Sequence, residues 1–346
     1  MRVLVTGGTG FVGAHAVVAL QKRGHEVRLL VREPGRVARA LGPLGARAED
    51  VTAGDVTDQG TVETALRGCD AVLHAASVFS FDSRDAERIR ATNVRGTELV
   101  LGAARRLGLD PIVYVSSVLA LLPSRGAVLT PDSPLGKPLG VYSRSKGDAE
   151  RVARQHQEAG APVVVASPGS VWGPNDPHFG ESSRLAAQVL KGQFRLIPTG
   201  GYPVVDVRDV AAALAAAFER GRGPRRYTLG GRFTRMTDLV GTILRLAGRQ
   251  VATATVPATF ALGAAWAADL AQRALPWRLP VHLGGAYVTF CAPRCDDSRA
   301  AAELGFSPRP LEDTVADSVR WLAREGRVTP LEAGALAPGP PAAGVA

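Results

Sequence analysis

The chain has 346 residues, of which 46% are hydrophobic and 21% are charged. This composition excludes a disordered, a collagen-like or a disulfide-stapled chain, and the length supplies a core for one large α/β unit or two unequal lobes. The net charge is +9. We interpret the excess of arginine as compositional bias, because no basic stripe is interleaved with aromatic residues, and we expect no nucleic-acid partner.

Short, continuous apolar runs alternate with helix-like stretches through the first half of the chain. Such runs are typical of strands buried on both faces of a parallel sheet. The predicted strands are 3–5, 27–31, 71–74, 112–115 and 163–166, and the predicted helices are 14–23, 62–66, 87–107 and 142–159. This alternation predicts an α/β fold with a Rossmann-type doubly wound parallel sheet.

The pattern changes after Pro168, where Pro and Gly become frequent. We predict a dinucleotide-binding Rossmann domain over 1–172, to which 204–232 returns, and a smaller, discontinuous C-terminal substrate lobe over 173–203 and 233–328. Residues 329–346 are rich in Ala, Gly and Pro and are predicted to be a disordered tail.

The most apolar later run, 258–268, is about half as long as a bilayer requires. It is predicted to be a buried helix, with a helix resting on a membrane surface as the alternative. We expect no integral membrane segment, no targeting segment and a cytoplasmic location.

Cys69, Cys291 and Cys295 lack a second ligand pair and are interpreted as reduced thiols rather than a metal site.

A glycine-rich turn, TGGTGFVG, follows the first predicted strand and precedes the first predicted helix. In that position bare backbone amides and a helix N-terminus can hold a pyrophosphate. The turn therefore predicts a dinucleotide site. Its predicted cofactor-binding residues are Gly7, Gly10, Phe11, Val12 and Gly13.

The end of the second strand predicts which dinucleotide binds. An arginine there can hold the 2′-phosphate of NADP, whereas a carboxylate would bind the ribose hydroxyls of NAD. Arg32 and Arg36 follow the strand, and Glu33 stands one place late for the ribose role, so NADP(H) is favoured over NAD(H). Asp55 and Val56, after the third strand, are predicted to contact the adenine.

A tyrosine and a lysine stand four residues apart in Tyr142-Ser-Arg-Ser-Lys146. This spacing puts the phenol and the ammonium on one helix face, where the ammonium can lower the pKa of the phenol and hold the nicotinamide ribose. Only four residues of the chain are lysines, so a chance match is a poor explanation. Ser117 and, as the alternative, Ser116 follow the strand 112–115 and are the candidates for a third catalytic residue.

Together these motifs resemble the extended short-chain dehydrogenase/reductase family, within the NAD-dependent epimerase/dehydratase superfamily. In detail they are similar to its dihydroflavonol-4-reductase-like and 3β-hydroxysteroid-dehydrogenase-like branches. The resemblance implies a Rossmann fold, a nicotinamide cofactor and a homodimer. It favours Ser117 over Ser116, because the 25-residue step from Ser117 to Tyr142 is similar to that in related sugar epimerases. It adds Asn93, Pro168 and Val171 to the predicted cofactor site, besides Tyr142 and Lys146. Ala75 and Ala76 are predicted there because their small side chains close the fourth strand and let the phosphates and ribose lie against the backbone.

The predicted function is hydride transfer in an NADP(H)-dependent oxidoreductase that reduces a small-molecule ketone or aldehyde. Sugar dehydratases of this family carry Asp-Glu after the catalytic Ser or Thr, so Val118 and Leu119 disfavour dehydration. An NAD-dependent nucleotide-sugar epimerase stays open, with Arg278 and Arg294 as candidates for binding a diphosphate. A non-enzymatic redox sensor is the other alternative. The apolar run and Trp277 suggest a hydrophobic substrate, or else ordinary core packing.

Overall fold

The computed structural model describes residues 1–80, 82–121, 126–272 and 283–338. The strands in this part of the chain are β1 (Arg2–Thr6), β2 (Glu26–Val31), β3 (Asp50–Ala53), β4 (Ala71–His74), β5 (Ile112–Val115), β6 (Val128–Leu129), β7 (Val163–Pro168), β8 (Ser170–Trp172), β9 (Leu196–Pro198), β10 (Gly201–Asp206), β11 (Arg225–Leu229), β12 (Arg232–Arg235), β13 (Ala254–Val256) and β14 (Arg294–Cys295). The helices are α1 (Phe11–Lys22), α2 (Arg36–Leu41), α3 (Gln59–Leu66), α4 (Ala86–Arg90), α5 (Gly96–Arg106), α6 (Val141–Glu158), α7 (Glu181–Leu190), α8 (Val207–Ala216), α9 (Met236–Leu246), α10 (Ala258–Gln272), α11 (Leu283–Cys291), α12 (Ser298–Leu304), α13 (Leu311–Arg324) and α14 (Pro330–Ala333).

Seven parallel strands form the main sheet, in the order β11-β7-β5-β4-β1-β2-β3. The order runs outward from β1 in both directions, as in a doubly wound fold. Apolar clusters cover both faces of the sheet, one containing Val3 and Leu29 and the other Leu4 and Ile112. Burial on both faces explains why these strands are continuous apolar runs. The predicted fold class is confirmed.

The carboxyl ends of the central strands place the predicted site residues along one edge of this sheet. There β1 leads into the glycine turn, β4 into Ala75, β5 into Ser116 and β7 ends at Pro168. Because parallel strands all end on the same side, residues far apart in sequence meet at that edge.

The helix predicted over 87–107 is interrupted. A π-helical segment, Ala91–Arg95, separates α4 from α5 and contains Asn93. Such single wide turns arise where side chains inside a helix are engaged elsewhere, and they are frequent at functional sites.

A second unit packs around a three-stranded sheet of order β12-β10-β8, with β10 parallel to β8 and antiparallel to β12. Its core is built on α7, α9 and α13 around the buried Trp172. Here the predicted boundaries differ from the structure: β10 belongs to this second sheet, and the return to the main domain begins with α8, which packs on α1, and ends with β11. In addition, Ala300 and Phe306, expected in the substrate lobe, lie in the core of the main domain.

The prediction of a disordered tail from Thr329 is wrong for residues 329–338. Thr329 caps α14 through its side chain, and Glu332 completes the capping box by accepting a hydrogen bond from the Thr329 backbone N–H. Ala333 and Leu336 are buried against the core of the second unit. Short-range capping and two apolar contacts order this segment despite its composition. Residues 339–346 lie outside the described part of the chain.

The apolar run predicted to be a buried helix forms α10, but most of that helix is exposed. It buries Ala258, Ala265 and Gln272, which lie seven residues apart, whereas 64% of Phe260 and 61% of Trp266 are exposed. The helix packs on α11, and the Ala258 N–H at its start donates to the Thr199 hydroxyl. None of the helices in the described residues is long and apolar enough to cross a membrane.

Candidate active site

The glycine turn holds the N-terminus of α1 close to the end of β4. Gly7 has φ +74°, and a Cβ added to it would lie 2.6 Å from the Ala76 nitrogen, while a Cβ on Gly13 would overlap the carbonyl oxygen of Gly7. The Gly10 N–H donates to that same oxygen over 2.9 Å. Both close approaches require glycine, because a Cβ at either position would clash. The surface of the turn is therefore formed by backbone atoms.

No side chain caps α1, and no acidic residue stands in its first turn. The amides of Phe11, Val12 and Gly13 therefore lack partners within the helix and carry the positive end of the helix dipole. An uncapped, glycine-bordered helix N-terminus at the carboxyl end of a central strand fits a pyrophosphate.

His74, at the end of β4, is part of the packing beneath this turn. Its ring nitrogens are hydrogen-bonded to the hydroxyls of Thr6 (2.7 Å) and Thr97 (3.1 Å), and its ring stacks on Tyr114. Burial, with a smaller contribution from Lys146, lowers the pKa of His74 to about 3. The imidazole is therefore neutral and fully used in bonds that tie β4 to β1 and α5.

The residues predicted to bind the nucleotide end lie after β2 and β3. Arg32 is exposed, and the described part of the chain offers it no carboxylate partner, whereas Arg36 is paired with Glu33 over 2.9 Å. Asp55 accepts hydrogen bonds from the Thr57 backbone and side chain through Oδ1. One oxygen of Asp55 thus closes a local turn, and its Oδ2 has no hydrogen bond to the described residues.

Tyr142 and Lys146 lie on one face of α6, which begins after Gly140. Only 8% of Tyr142 and 3% of Lys146 are exposed. Burial raises the pKa of Tyr142 to about 12, and a hydrogen bond with Ser77 opposes that rise, so the net shift is opposite to the lowering expected from Lys146. Burial lowers the pKa of Lys146 to about 8. The Lys146 ammonium donates to the Val115 carbonyl over 2.8 Å.

The two serines that follow β5 have different partners. The Ser116 hydroxyl donates to the carboxylate of Glu150 over 2.6 Å, in the interior of the protein. The Ser117 oxygen accepts a hydrogen bond from the Leu119 backbone over 3.2 Å. Within the described part of the chain, the Ser117 proton is available to a further acceptor, while that of Ser116 is engaged.

Asn93 joins three parts of the site. Its Oδ1 accepts from the Val78 backbone (2.7 Å) and the Ser77 hydroxyl, and its Nδ2 donates to the Val78 carbonyl and to Ser145 of α6 (3.0 Å). All four contacts lie outside its own turn of helix, which accounts for the π-helical segment. Asn93 thus anchors the loop after β4 to α6.

Pro168 and Val171 lie where the chain passes from the main sheet to the second sheet. Pro168 ends β7 opposite Leu229, and Val171 in β8 faces Val205 of β10. A Cβ added to Gly169 between them would lie 2.6 Å from the Gly230 carbonyl oxygen. This crossing is therefore rigid and tightly packed.

Sequence reasoning missed Ser77, Phe79 and Glu150. The ring of Phe79 meets that of Tyr142 edge-on at 4.5 Å, and Glu150 is 1% exposed beneath Ser116. The only available signal was the position of Glu150, one further helical turn beyond Lys146.

Of the candidates for a diphosphate, Arg294 is exposed and stacks on Phe233 at 4.9 Å, while Arg278, like Trp277, lies outside the described residues.

A family model described as NAD dependent epimerase/dehydratase family matches residues 3–230. This chain belongs to that family. The match covers the glycine turn, Asn93, Tyr142 and Lys146, so these features lie in an NAD(P)-dependent oxidoreductase of the epimerase/dehydratase family. The resemblance inferred from the motifs is confirmed.

Similar proteins span nearly the whole length of this family member. A Synechocystis protein named "Putative dihydroflavonol 4-reductase" is 31% identical over 332 residues, covering 94% of this chain and 95% of that protein. The 4-hydroxy-2-methyl-3-oxo-4-farnesyl-3,4-dihydroquinoline-1-oxide ketoreductase of Stigmatella aurantiaca is 32% identical and covers 94% and 98%. The crystal structure of gox2253 matches with a TM-score of 0.80 at 29% identity, covering 95% and 99%.

Proposed function

We propose that this enzyme reduces the carbonyl group of a small molecule to an alcohol with NADP(H) as cofactor. The proposed catalytic residues are Ser117, Tyr142 and Lys146. The observation that carries the proposal is the buried phenol and ammonium on one face of α6, with the ammonium bonded to the end of β5, two residues before Ser117. Among the described residues, none accepts a hydrogen bond from the Ser117 hydroxyl. The cofactor, when bound, supplies the hydride.

Tyr142 is suited to act as the acid of this reaction. With a pKa raised to about 12 by burial, its phenol is protonated at neutral pH and can donate a proton to the carbonyl oxygen. Ser117 would hydrogen-bond the same oxygen and stabilise its developing charge. Lys146 has a pKa of about 8 and is an ammonium at pH 7, so it favours the phenolate that remains after the transfer.

The remaining predicted residues would hold the dinucleotide along the edge of the main sheet. We assign the pyrophosphate to the amides at Gly7, Gly10, Phe11, Val12 and Gly13. The other proposed contacts are Asp55 and Val56 at the adenine, Ala75, Ala76 and Asn93 along the phosphates and riboses, and Lys146, Pro168 and Val171 near the nicotinamide.

The preference for NADP rests on Arg32. Its guanidinium is exposed without a carboxylate partner in the described part of the chain, so it can bind a 2′-phosphate without breaking an ion pair. Arg36 would first have to leave Glu33, an exposed pair worth roughly 0–1 kcal/mol. Both arginines can therefore contribute, with Arg32 as the principal contact.

The proposed substrate is hydrophobic. Helix α11, on which α10 packs, meets the start of the catalytic helix, because Gly284 of α11 contacts Gly140. Helix α10 carries the exposed apolar side chains of Phe260 and Trp266. A similar protein is named as a ketoreductase of a farnesylated quinoline oxide, which is a ketone of this kind.

Replacement of Tyr142 tests the mechanism. We expect Tyr142→Phe to keep its affinity for NADPH and to lose about 10²- to 10⁴-fold in kcat, because only the transferable proton is removed. Affinity is measured by fluorescence titration, and kcat by NADPH oxidation with a panel of apolar ketones. Full activity in this variant would overturn the mechanism.

A nucleotide-sugar epimerase is the second candidate, since the family includes epimerases and the same three catalytic residues would serve it. That reaction predicts NAD retained through purification and visible in the absorption spectrum. A redox sensor predicts dinucleotide binding without turnover.

We propose in addition that the protein is a homodimer and is located in the cytoplasm. Light scattering tests the oligomeric state, and cell fractionation tests the location.

A further inference from the structure

The face of α6 that carries Tyr142 and Lys146 continues with two more charged residues. Glu150 and Arg154 follow at intervals of four, so all four side chains lie along one side of the helix. Glu150 is 1% exposed, and the side chain of Arg154 is 14% exposed. A carboxylate buried this deeply is costly unless its charge is compensated or used.

Both oxygens of Glu150 are engaged. Oε1 accepts from Nε and Nη2 of Arg154 at 2.9 and 2.6 Å, and Oε2 accepts from the Ser116 hydroxyl at 2.6 Å. Arg154 is itself held by the Ser133 carbonyl over 3.0 Å. The carboxylate therefore has a fixed position between α6 and the end of β5, directly before Ser117.

Lys146 has little other compensation for its charge. Its ammonium donates to the Val115 carbonyl and lies 5.1 Å from the centre of the Tyr114 ring on β5. His74 on β4 faces it as a neutral imidazole. The helix packed against α6 contributes the neutral amide of Asn93 through Ser145. Among the described residues that face Lys146, Glu150 supplies the negative charge, and this charge raises the pKa of Lys146 against the effect of burial.

We propose that Glu150 is a positioning residue for the reaction, whose carboxylate keeps Lys146 cationic and holds Ser116 away so that Ser117 is the hydroxyl presented to the substrate. Its importance for catalysis rests on the proposed function. The physical claim does not, because the charge state of Lys146 can be measured without turnover. Arg154 tunes the effect by partly neutralising the carboxylate.

The pKa of Lys146 is the direct readout. With only four lysines in the chain, ¹³Cε-lysine NMR resolves each one, and Lys146→Arg identifies the signal. We expect Glu150→Gln to lower the titration midpoint of Lys146 by about one pH unit, because an opposite charge one helical turn away is removed. Arg154→Gln should raise the midpoint, because the carboxylate is no longer neutralised.

Asp148→Asn is the matched control. It removes the same charge from the same helix, but Asp148 is half-exposed and pairs with Arg151, so the Lys146 midpoint should not move. If Glu150→Gln does not fold, the upward shift in Arg154→Gln tests the claim alone. Opposite shifts in the two variants cannot result from a general loss of packing. An unchanged midpoint in a folded Glu150→Gln protein, or a downward shift in Arg154→Gln, would overturn the proposal.

The kinetic arm separates this proposal from the proposed function. Because Lys146 must be protonated, a lower pKa should move the high-pH limb of kcat for ketone reduction downward in Glu150→Gln, with KM for the ketone changed less than threefold. If the wild-type protein reduces no ketone but the Lys146 midpoint shifts as expected, the proposed function fails and the charge role stands. If turnover depends on Tyr142 and the midpoint does not respond to Glu150, the role of Glu150 fails by itself.

Discussion

Opposite kinds of contact hold the glycine turn at 7–13 and helix α10. In the turn, backbone meets backbone so closely that a Cβ on Gly7 would lie 2.6 Å from Ala76. Along α10, a seam of three residues is buried while Phe260, Trp266 and Leu270 stay exposed. In the glycine turn, close backbone contacts constrain the conformation of the chain. In α10, only three residues are buried by packing.

This difference assigns separate tasks to the two regions. Rigid backbone at the ends of β1, β4 and β5 can position a dinucleotide and the proposed catalytic groups within a fraction of an ångström. A helix fixed along one seam can vary its remaining residues without disturbing the main sheet. Substrate preference is therefore expected to depend on α10 and α11, and the chemistry on the strand ends.

The largest effect is expected at Trp172, which distinguishes the core of the second unit from its α10 surface. Trp172 is 1% exposed and packs among α7, α9 and α13. We expect Trp172→Ala to lower the free energy of unfolding by about 3–5 kcal/mol, because it leaves a large cavity. Urea unfolding followed by circular dichroism measures this. A loss under about 1 kcal/mol would mean that the unit is as loosely packed as α10.

Ser117 tests whether the strand ends fix the chemistry. Ser117→Ala is expected to lower kcat by about 10²- to 10³-fold, because a hydrogen-bond donor to the developing charge is lost. Ser116→Ala should mainly reduce stability, by about 1–3 kcal/mol, because the Glu150 carboxylate loses a buried donor. Steady-state kinetics and urea unfolding of both variants provide the comparison. The reverse pattern would assign the catalytic role to Ser116.

Arg32 tests the most exposed part of the proposed dinucleotide site. Arg32→Ala should weaken NADPH binding by about 10- to 100-fold and leave NADH binding unchanged, since a charged hydrogen bond contributes about 1.5–3 kcal/mol. Arg36→Ala, which also breaks the pair with Glu33, is expected to have a smaller effect. Isothermal titration with both dinucleotides measures each affinity. Equal affinities of the wild-type protein for NADPH and NADH would contradict the preference.

The smallest effect is expected at Trp266 on α10. Because 61% of Trp266 is exposed, Trp266→Ala should change the free energy of unfolding by no more than about 0.5 kcal/mol. In the same variant, the KM for apolar ketones should increase, and by a larger factor than any change in kcat. A loss of stability close to that of Trp172→Ala would show that α10 is part of the core, and the contrast between the regions would disappear.

The main sheet and the turn could be predicted because their constraints are local. Val3 and Leu29 belong to apolar runs, and the close contacts of Gly10 and Gly13 are made with Gly7 in the same turn. The helical spacing of Tyr142 and Lys146 is local in the same sense. For these parts the sequence carries nearly the whole physical argument.

The other features depend on contacts between distant residues. The burial of Glu150 against Ser116 spans 34 positions, and no spacing rule identifies that pair. The prediction that α10 is buried rested on its hydropathy alone. Hydropathy does not show whether other elements of the fold are available to cover the helix. Ala333 and Leu336, which are buried against the core of the second unit, help to order a segment whose Ala, Gly and Pro content is typical of disorder. In each case the deciding contact outweighs the average composition.

The most direct test of the account is transfer of a label from the cofactor to the substrate. Wild-type protein is incubated with NADPH carrying deuterium at both C4 positions of the nicotinamide and with a panel of apolar ketones, and the products are examined by mass spectrometry. We predict an alcohol carrying one deuterium on the former carbonyl carbon, formed by the wild-type protein and lost in Tyr142→Phe. Absence of labelled alcohol, together with interconversion of nucleotide sugars by protein that retains NAD, would contradict carbonyl reduction and establish the epimerase alternative.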